Sequence, residues 1–431
     1  MSDYTVLSTQ ELQQVHMDLL EKFNKLKDEN LALDMSRGKP SPDQLDLSNG
    51  MLDIISADTP LKAEDGTDVR NYGGLDGLPE AKAFFSNILN VSSNEIIIGG
   101  NSSLNLMHDT VARAMLFGVN DGETAWAKLP KVKFLCPSPG YDRHFSICEL
   151  FNIEMIRVDM LEDGPNMDQI EKLVQEDESI KGIWCVPKYS NPDGITYSDE
   201  VVDRFASMKT KAKDFRIFWD DAYTVHHLTD KPDELKNILT ACKQAGNEDR
   251  VLIFSSTSKI TFAGGGIGVL ASSENNIQYF KKLLAMQTIG PDKLNQIRHI
   301  RFFKNVENLS THMKKHASII KPKFDMVLNK LESEIGGKNI GSWVEPNGGY
   351  FISFNTLDGC AKTVVSMAKE AGVKLTGAGA TFPYGHDPRD RNIRIAPTFP
   401  SLIELERAMD VFCLCVQLAS VEKLLKEQLL E

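Results

Sequence analysis

Lys259 lies in a sequence setting that suits covalent chemistry. It follows the apolar run VLIFSS, it is preceded by Ser256 and Ser258, and three glycines begin five residues after it. A lysine in a loop is usually a solvated surface residue. At the mouth of a sheet, however, partial removal from water lowers the pKa of a lysine, and the neutral amine can form a Schiff base. The segment therefore predicts a carbonyl-binding site, with a solvated lysine as the alternative.

Polar side chains also follow other apolar runs. Ser102 and Ser103 open a helical stretch, where free N–H groups and hydroxyls could hold an anion, although a plain helix cap has the same pattern. Asn191 begins an Asn-Pro turn, which is a weak signal alone. Asp220 and Asp221 end a buried run, where a carboxylate is costly unless paired or solvated. Because ligands bind at the carboxyl ends of such strands, we expect these groups to converge.

Together these residues match the needs of one cofactor. Lys259 would hold a carbonyl, Asp220 would face a ring nitrogen, and Asn191 and Tyr223 would donate to a phenolate oxygen. The serine hydroxyls and the helix start would hold a phosphate. This set fits pyridoxal 5′-phosphate (PLP), whose site needs a Schiff-base lysine and an acidic partner for the pyridinium nitrogen. No metal site is indicated.

Short apolar runs recur from about residue 95, separated by amphipathic stretches. The runs are EIIIGG, VKFLCP, EMIRVDM, KGIWCVP, FRIFWDD and VLIFSS. This pattern is typical of buried strands joined by crossover helices, and it predicts an α/β fold with a mostly parallel sheet. A helix with a Ser8–Glu11 capping box precedes this region. After about residue 290 the pattern is helical again, interrupted by the strand-like pieces GGYFISF and NIRIAP.

Composition excludes some classes of partner. The 431 residues carry a formal net charge of −12, which argues against a nucleic-acid surface and against polybasic contact with a membrane. No stretch approaches the roughly 20 apolar residues of a spanning helix, and no secretory signal is visible at the start. The seven cysteines form no CxxC pair and predict reduced core residues. We therefore expect a cytoplasmic protein without nucleic-acid or membrane partners.

Nine short segments, in order along nearly the whole chain, resemble the fold-type I, class I aminotransferases, and most closely the bacterial type Ic aspartate aminotransferases. They are RGKP (37–40), NYGGLDGLPEAK (71–82), GGNSSLNLM (99–107), PGYDRHF (139–145), SNPDG (190–194), DDAY (220–223), STSK (256–259), NGGYF (347–351) and IRIA (393–396). The resemblance implies a large PLP-binding domain at 51–315, with a mostly parallel seven-stranded sheet flanked by helices. It also implies a smaller α+β domain from 1–50 and 316–431, and a homodimer with shared active sites.

The resemblance assigns roles to individual residues. Lys259 would bind PLP covalently and move protons, and Asp220 would pair with the ring nitrogen. Further cofactor contacts would come from Ser102, Ser103, Leu104, Tyr141, Asn191, Tyr223, Ser256, Ser258 and, across the interface, the partner subunit's Tyr72. Tyr141 would stack on the ring, a place for which Pro139 competes. Arg394 would bind the substrate α-carboxylate, beside Gly38 and Asn191.

One departure from the family pattern concerns the phosphate. Many relatives carry an arginine a few residues after the lysine, whereas this chain has Gly264, Gly265 and Gly266 in that stretch. The glycines predict a close approach of backbone N–H groups to the phosphate. Lys188 is a candidate for the missing cation, and a solvated strand-end lysine is the simpler interpretation.

The predicted reaction is transfer of an amino group from an amino acid, with aspartate favoured, to 2-oxoglutarate by a ping-pong mechanism. A dicarboxylate needs a second cation, for which the segment 290–304 offers Lys293 and Arg298, besides His299 and Arg301. An amphipathic helix with solvated basic residues would look the same. Aromatic, branched-chain and aminoadipate-type aminotransferases and C–S lyases remain alternatives on this fold. A regulator effector domain is disfavoured, because only about 30 residues, without a basic helix-turn-helix pattern, precede RGKP.

Overall fold

The apolar runs of the sequence form strands of one central sheet. The computed structural model describes residues 2–430. Its strands are β1 Leu33–Asp34, β2 Ile96–Ile98, β3 Lys133–Ser138, β4 Glu154–Leu161, β5 Gly164–Pro165, β6 Ile180–Cys185, β7 Arg216–Asp220, β8 Val251–Ser256, β9 Gly268–Ala271, β10 Gly341–Trp343, β11 Ile352–Thr356, β12 Val373–Lys374 and β13 Asn392–Ile395. Its α-helices are α1 Thr9–Asp28, α2 Pro42–Asp46, α3 Pro79–Leu89, α4 Ser103–Phe117, α5 Asp142–Leu150, α6 Met167–Glu176, α7 Asp199–Ser207, α8 Ile238–Gln244, α9 Glu274–Gln287, α10 Lys293–Phe303, α11 Val306–Glu334, α12 Ala361–Glu370 and α13 Leu402–Gln428.

The central sheet has the strand order β2-β9-β8-β7-β6-β3-β4-β5. Its middle strands β8, β7, β6, β3 and β4 are parallel. β9 runs antiparallel to β2 and β8, and the two-residue β5 pairs antiparallel with β4. The carboxyl ends of the five parallel strands therefore meet at one edge, where open α/β sheets bind their ligands.

Helices cover both faces of this sheet. Successive residues of β7 enter opposite faces, so Ile217 and Trp219 pack in one core with α3, α7 and α8, while Phe218 packs in another with α4, α5 and α9. Every residue of β6 and β7 is buried. A strand that is buried on both faces has a continuous apolar sequence rather than an alternating one. This is why apolar runs alone were sufficient to recognise these strands.

The two ends of the chain form a second unit beside the sheet. α1 packs along α13, β10, β11 and β13 form an antiparallel sheet, and β1 pairs with β12. The capping box of Ser8 and Glu11 is present, and Leu12 and Phe23 are buried on the inner face of α1. The predicted N-terminal helix is therefore confirmed.

The strand number differs from the expectation. The resemblance implies seven strands, whereas the central sheet has eight, because β5 adds two residues at the edge beside β4. The proposed domain boundary at 315/316 stays a prediction, and α11 runs through it without a break. All seven cysteines are buried and unbonded to one another. Among the residues described, no helix has both the length and the apolarity that a bilayer crossing demands.

Candidate active site

A cavity of about 620 Å³ opens at the carboxyl ends of the parallel strands. Most of the predicted site residues line it, namely Gly38, Ser102, Ser103, Leu104, Tyr141, Asn191, Asp220, Tyr223, Ser256, Ser258, Lys259 and Arg394. We call this cavity the main pocket. The pairing of β7 with β8 sets Asp220 beside Phe254, so the segments that follow the two strands enter the pocket next to each other.

Lys259 lies between aromatic rings in the main pocket. Its Nζ is 5.2 Å from the ring centroid of Tyr223 and 5.7 Å from that of Tyr350. Burial lowers the pKa of Lys259, Asp220 opposes this shift and Arg394 adds to it. The physical cause is that a charged amine loses hydration inside the pocket, so the neutral form is favoured. A neutral amine is the form that attacks a carbonyl.

Asp220 is held by a histidine that the sequence interpretation did not assign. His144 Nε2 is 2.9 Å from Asp220 Oδ2, and both side chains are almost fully buried. Since a carboxylate only accepts, Nε2 carries the hydrogen. The His144 ring stacks on Trp184 at 4.4 Å with an interplanar angle of 9°. Asp220 Oδ1 is buried and has no hydrogen-bond partner among residues 2–430, so it remains able to accept one.

Asp221 faces a different cavity from Asp220. Together with Lys188 it lines a space of about 330 Å³ outside the main pocket. Burial raises the pKa of Asp221 to about 6. Lys188 Nζ donates to the carbonyl of Thr224 at 3.2 Å. The structure thus separates the two neighbouring aspartates, and it places Lys188 away from the serines predicted to hold phosphate.

The predicted phosphate end combines a helix start with hydroxyls. Ser102 caps α4 by accepting from Asn105 N at 3.3 Å, and Ser103 begins the helix. Ser256 Oγ is 3.1 Å from Ser258 Oγ. Free N–H groups at the start of a helix and hydroxyl donors together suit a phosphate. Gly268 permits this arrangement, because a Cβ there would lie 2.8 Å from the carbonyl oxygen of Ser102.

The run Gly264–Gly266 does not line the main pocket. A Cβ on Gly266 would lie 3.1 Å from the carbonyl of Asn101, and Asn295 of α10 donates to the carbonyls of Gly265 and Gly266. Gly266 therefore packs behind the pocket wall, whereas Gly264 is exposed. The expected approach of their N–H groups to the phosphate finds no support in this arrangement.

Arg394 lies across the pocket on β13. Its Nη1 donates to Asp142 Oδ1 at 3.1 Å and to Asn191 Oδ1 at 3.2 Å, and its Cζ is 4.8 Å from the ring centroid of Phe351. Arg394 Nε is buried without a partner among the described residues. A Cβ at Gly38 would lie 2.3 Å from the Phe351 ring, so only glycine fits beside this group. The guanidinium therefore retains a donor for a carboxylate.

Three predicted site residues lie outside the main pocket of their own chain. Tyr72 is 79% exposed. Lys293 is buried, and its Nζ donates to the carbonyl of Gly73 at 2.8 Å. Arg298 Nη2 donates to Asn295 Oδ1 at 2.5 Å. Their assigned roles stay predictions, because each would have to act on the pocket of a partner subunit.

The partnerless groups of the main pocket fit PLP with an amino acid. Asp220 Oδ1 offers a buried acceptor for a ring N–H, and Arg394 Nε offers a buried donor for a carboxylate. A buried polar atom without a partner costs about 1–3 kcal/mol, which a ligand that pairs with it recovers. Lys259 and the start of α4 supply the amine and the anion site. The described residues hold no cluster of three or more metal-ligating side chains.

Comparison with known proteins identifies the family. A family model described as aspartate amino-transferase matches residues 7–428. The chain belongs to this family. It is accordingly a fold-type I, PLP-dependent aminotransferase, as the nine segments indicated.

Relatives match this aspartate aminotransferase family member over nearly its whole length. A Mycolicibacterium smegmatis protein that carries an aminotransferase name is 49% identical, over 98% of both chains. The aspartate aminotransferase of Corynebacterium glutamicum is 44% identical, over 98% of this chain and 99% of that one. The crystal structure of an aspartate transaminase from the same organism superposes with a TM-score of 0.95 at 44% identity, covering 98% and 99% of the two chains.

Proposed function

We propose that this aminotransferase transfers the amino group of aspartate to 2-oxoglutarate by a ping-pong mechanism. One observation carries the proposal: a single pocket brings together the Lys259 amine, Asp220 with a free oxygen, and Arg394 with a free donor. Each half-reaction would use the same groups in this pocket. The first 2-oxo acid would therefore have to leave before the second one binds.

The chain's own residues divide the work of the reaction. When bound, PLP supplies an electron sink for the negative charge that develops at the substrate Cα. The neutral Lys259 amine would act as nucleophile, and once free it would take the proton from Cα. Asp220, oriented by His144, would keep a negative charge beside the ring nitrogen. Arg394 and Asn191 would orient the α-carboxylate, so that the Cα–H bond faces Lys259.

Two arginines at the pocket opening support a dicarboxylate substrate. Among the cations that line the main pocket, Lys39 lies 3.9 Å from the Phe399 ring centroid and Lys374 pairs with Asp34 at 3.6 Å. Arg37 and Arg143 are exposed and have no ion pair or side-chain hydrogen bond among the described residues.

Arg37 and Arg143 are therefore free to bind the distal carboxylate of aspartate. Lys293 and Arg298 remain candidates only if a partner subunit brings them to the pocket. Substitution of Arg37 or Arg143 and substitution of Lys293 or Arg298 therefore test two different positions for the distal carboxylate of aspartate.

A homodimer with shared sites is part of the proposal. Tyr72 is exposed, and the exposed apolar side chains of Met286 and Ile289 belong to a segment that contacts its loop. Such a surface suits a second copy of the chain. Tyr72→Phe should weaken PLP binding while the dimer persists. A monomer that remains fully active at high dilution would contradict the shared site.

A substrate panel tests the function. The values of kcat/KM for aspartate, phenylalanine and leucine are compared at fixed 2-oxoglutarate, and we expect aspartate to be clearly preferred. A preference for phenylalanine or leucine would favour an aromatic or branched-chain aminotransferase, which needs an apolar pocket instead of a second cation. Release of pyruvate from cystathionine without an amino acceptor would favour a C–S lyase.

A further inference from the structure

A cluster of buried histidines lies behind the Lys259 segment, on the side away from the main pocket. His312 and His316 are one turn apart on α11, and neither lines the pocket. Both are almost fully buried. The transamination chemistry uses neither of them. Their hydrogen bonds instead reach the backbone beside the reactive lysine.

The two histidines share one carbonyl oxygen. His312 Nε2 is 2.8 Å and His316 Nε2 is 2.9 Å from the oxygen of Ile260, the residue that follows Lys259. The two Nε2 atoms are also 3.1 Å apart. A carbonyl oxygen only accepts, so a ring that bonds to it carries its hydrogen on Nε2, and the contact of His316 with Gln44 requires this form for His316. The Nδ1 atom of His316 is then an acceptor.

A buried glutamine completes this pattern. Gln44 Nε2 lies 3.1 Å from His316 Nδ1 and 2.8 Å from the hydroxyl of Tyr350, so its two hydrogens have two acceptors. Gln44 Oε1 accepts from Ser41 N at 3.0 Å, which fixes the orientation of the amide. The Tyr350 hydroxyl in turn points at the Lys259 carbonyl across 3.5 Å.

This network joins the two ends of the chain to the central sheet. Gln44 lies on α2 and Tyr350 precedes β11, whereas Lys259 and Ile260 follow β8. Each donor in the network meets an acceptor, and such a satisfied buried network orders the groups it joins. The Lys259 backbone is thereby held from behind while its side chain enters the pocket.

We propose that His312 and His316 are positioning residues that hold the Ile260 carbonyl and so aim the Lys259 amine into the main pocket. Gln44 and Tyr350 link these hydrogen bonds to the N- and C-terminal parts of the chain. The proposal rests on the proposed function only in taking Lys259 as the reacting amine.

The expected consequence follows from the burial of Lys259. Burial keeps the pKa of Lys259 below its ordinary value. In the PLP enzyme the titrating atom would be the Schiff-base nitrogen of Lys259, whose protonated form is likewise charged. A loosened backbone would let water reach this nitrogen, so its pKa would rise. Burial also lowers the pKa of His316 to about 4 and lowers that of His312, so the neutral form of both rings is favoured.

Other titratable groups must stay constant in such a test. Those that face the Lys259 side chain are Asp220, Arg394, Tyr223, Tyr350 and His226. Those nearest the two histidines are His226 and Lys315. None of them is substituted below, so a shift reports the loss of the histidine contact.

The test is a pH titration of the full-length PLP enzyme, followed by the visible absorbance of the lysine-bound cofactor. His316→Leu removes the donor and should raise the midpoint by about half a pH unit or more, as expected when one hydrogen bond is lost. His316→Gln keeps a donor and an acceptor and should titrate like the parent enzyme. Met313→Ala, a buried change on the same helix, should lower the unfolding temperature without moving the midpoint.

Two results would overturn the proposal. A His316→Leu enzyme with a lower unfolding temperature and an unchanged midpoint would show that the histidine only packs. A shift in His316→Gln as large as that in His316→Leu would show that hydrogen bonding is not the cause. If His316→Leu does not fold, His312→Leu replaces it with the same expected shift. The titration needs no turnover, so its outcome is independent of which amino acid is the substrate.

Discussion

We call the inner part of the main pocket, with Lys259, Asp220 and Arg394, its floor, and the exposed part, with Arg37 and Arg143, its opening. The two parts differ in how their charged side chains are held. On the floor, Asp220 and Arg394 are buried, and each is partly paired before any ligand binds. At the opening, Arg37 and Arg143 are exposed and have no partners among the described residues. Buried charges are costly unless they are held, whereas exposed charges are screened by water and salt. We therefore expect the floor to determine the chemistry and the opening to determine which acid is preferred.

Removing the floor amine should have the largest effect. Lys259→Ala loses nucleophile and proton carrier together, so turnover should fall by about 10³-fold or more. Borohydride should no longer fix the cofactor to the protein. Lys188→Ala, a buried lysine of the neighbouring cavity, is the matched control and should keep both properties. Fixation of cofactor on a lysine other than 259 in the parent enzyme would refute this assignment.

Substitution of the adjacent residues Asp220 and Asp221 compares a carboxylate of the main pocket with one of the neighbouring cavity. Asp220→Ala should cut kcat by about 100-fold or more, since a preorganised charge at the reacting centre is lost. Asp221→Ala should change kcat much less, because Asp221 faces the other cavity. Steady-state kinetics of both variants at saturating PLP decides the point. An equal loss of kcat in both variants would contradict the assignment of Asp220 alone to the ring nitrogen.

Arg394→Lys tests the predicted contact with the substrate α-carboxylate. A lysine keeps the charge and loses the two-pronged donor geometry, so KM for both amino and oxo acids should rise about tenfold. PLP content, read from the visible spectrum, should be unchanged. An unaltered KM would contradict the assignment of Arg394 to the α-carboxylate.

The opening should give the smallest effect and the strongest dependence on salt. Arg37→Gln and Arg143→Gln should each lower kcat/KM for aspartate by about two- to fivefold, because an exposed ion pair contributes up to about 1 kcal/mol. Alanine, which lacks the distal carboxylate, serves as the control substrate and should be unaffected. The difference should shrink as ionic strength rises.

The two α10 candidates provide the opposing test. Loss of aspartate selectivity in Lys293→Ala or Arg298→Ala, with the opening arginines dispensable, would move the distal contact to the partner subunit.

The strands could be predicted because their signal is local. A continuous apolar run, such as the one that forms β7, indicates that both faces of the strand are buried. β9 was missed, since it has four residues, begins with Gly268 and lies one residue after the glycine run, so that it resembles a loop. The two-residue β5 has too few residues for any pattern.

Site residues could be predicted when they end a strand or begin a helix. Lys259 and Asp220 follow apolar runs, and Ser102 caps a helix, so chain position alone predicts where they lie. His144 stands within a recognised segment, yet its role depends on Asp220, 76 residues further along the chain. His316 and Gln44 are 272 residues apart. Spacing in the sequence contains no information about contacts of this kind.

The sequence by itself determined the α/β fold and the cofactor, and it predicted the reactive lysine, because these depend on local hydrophobicity and on motifs at strand ends. The sequence also predicted Asp220 as the pocket residue, whereas only the tertiary structure placed Asp221 and Lys188 together in the neighbouring cavity. The tertiary structure also decided which cations are free, since an arginine is uncommitted only if no distant carboxylate or aromatic ring has reached it. Pairing and burial are properties of neighbours in space, and folding brings those neighbours from remote parts of the chain.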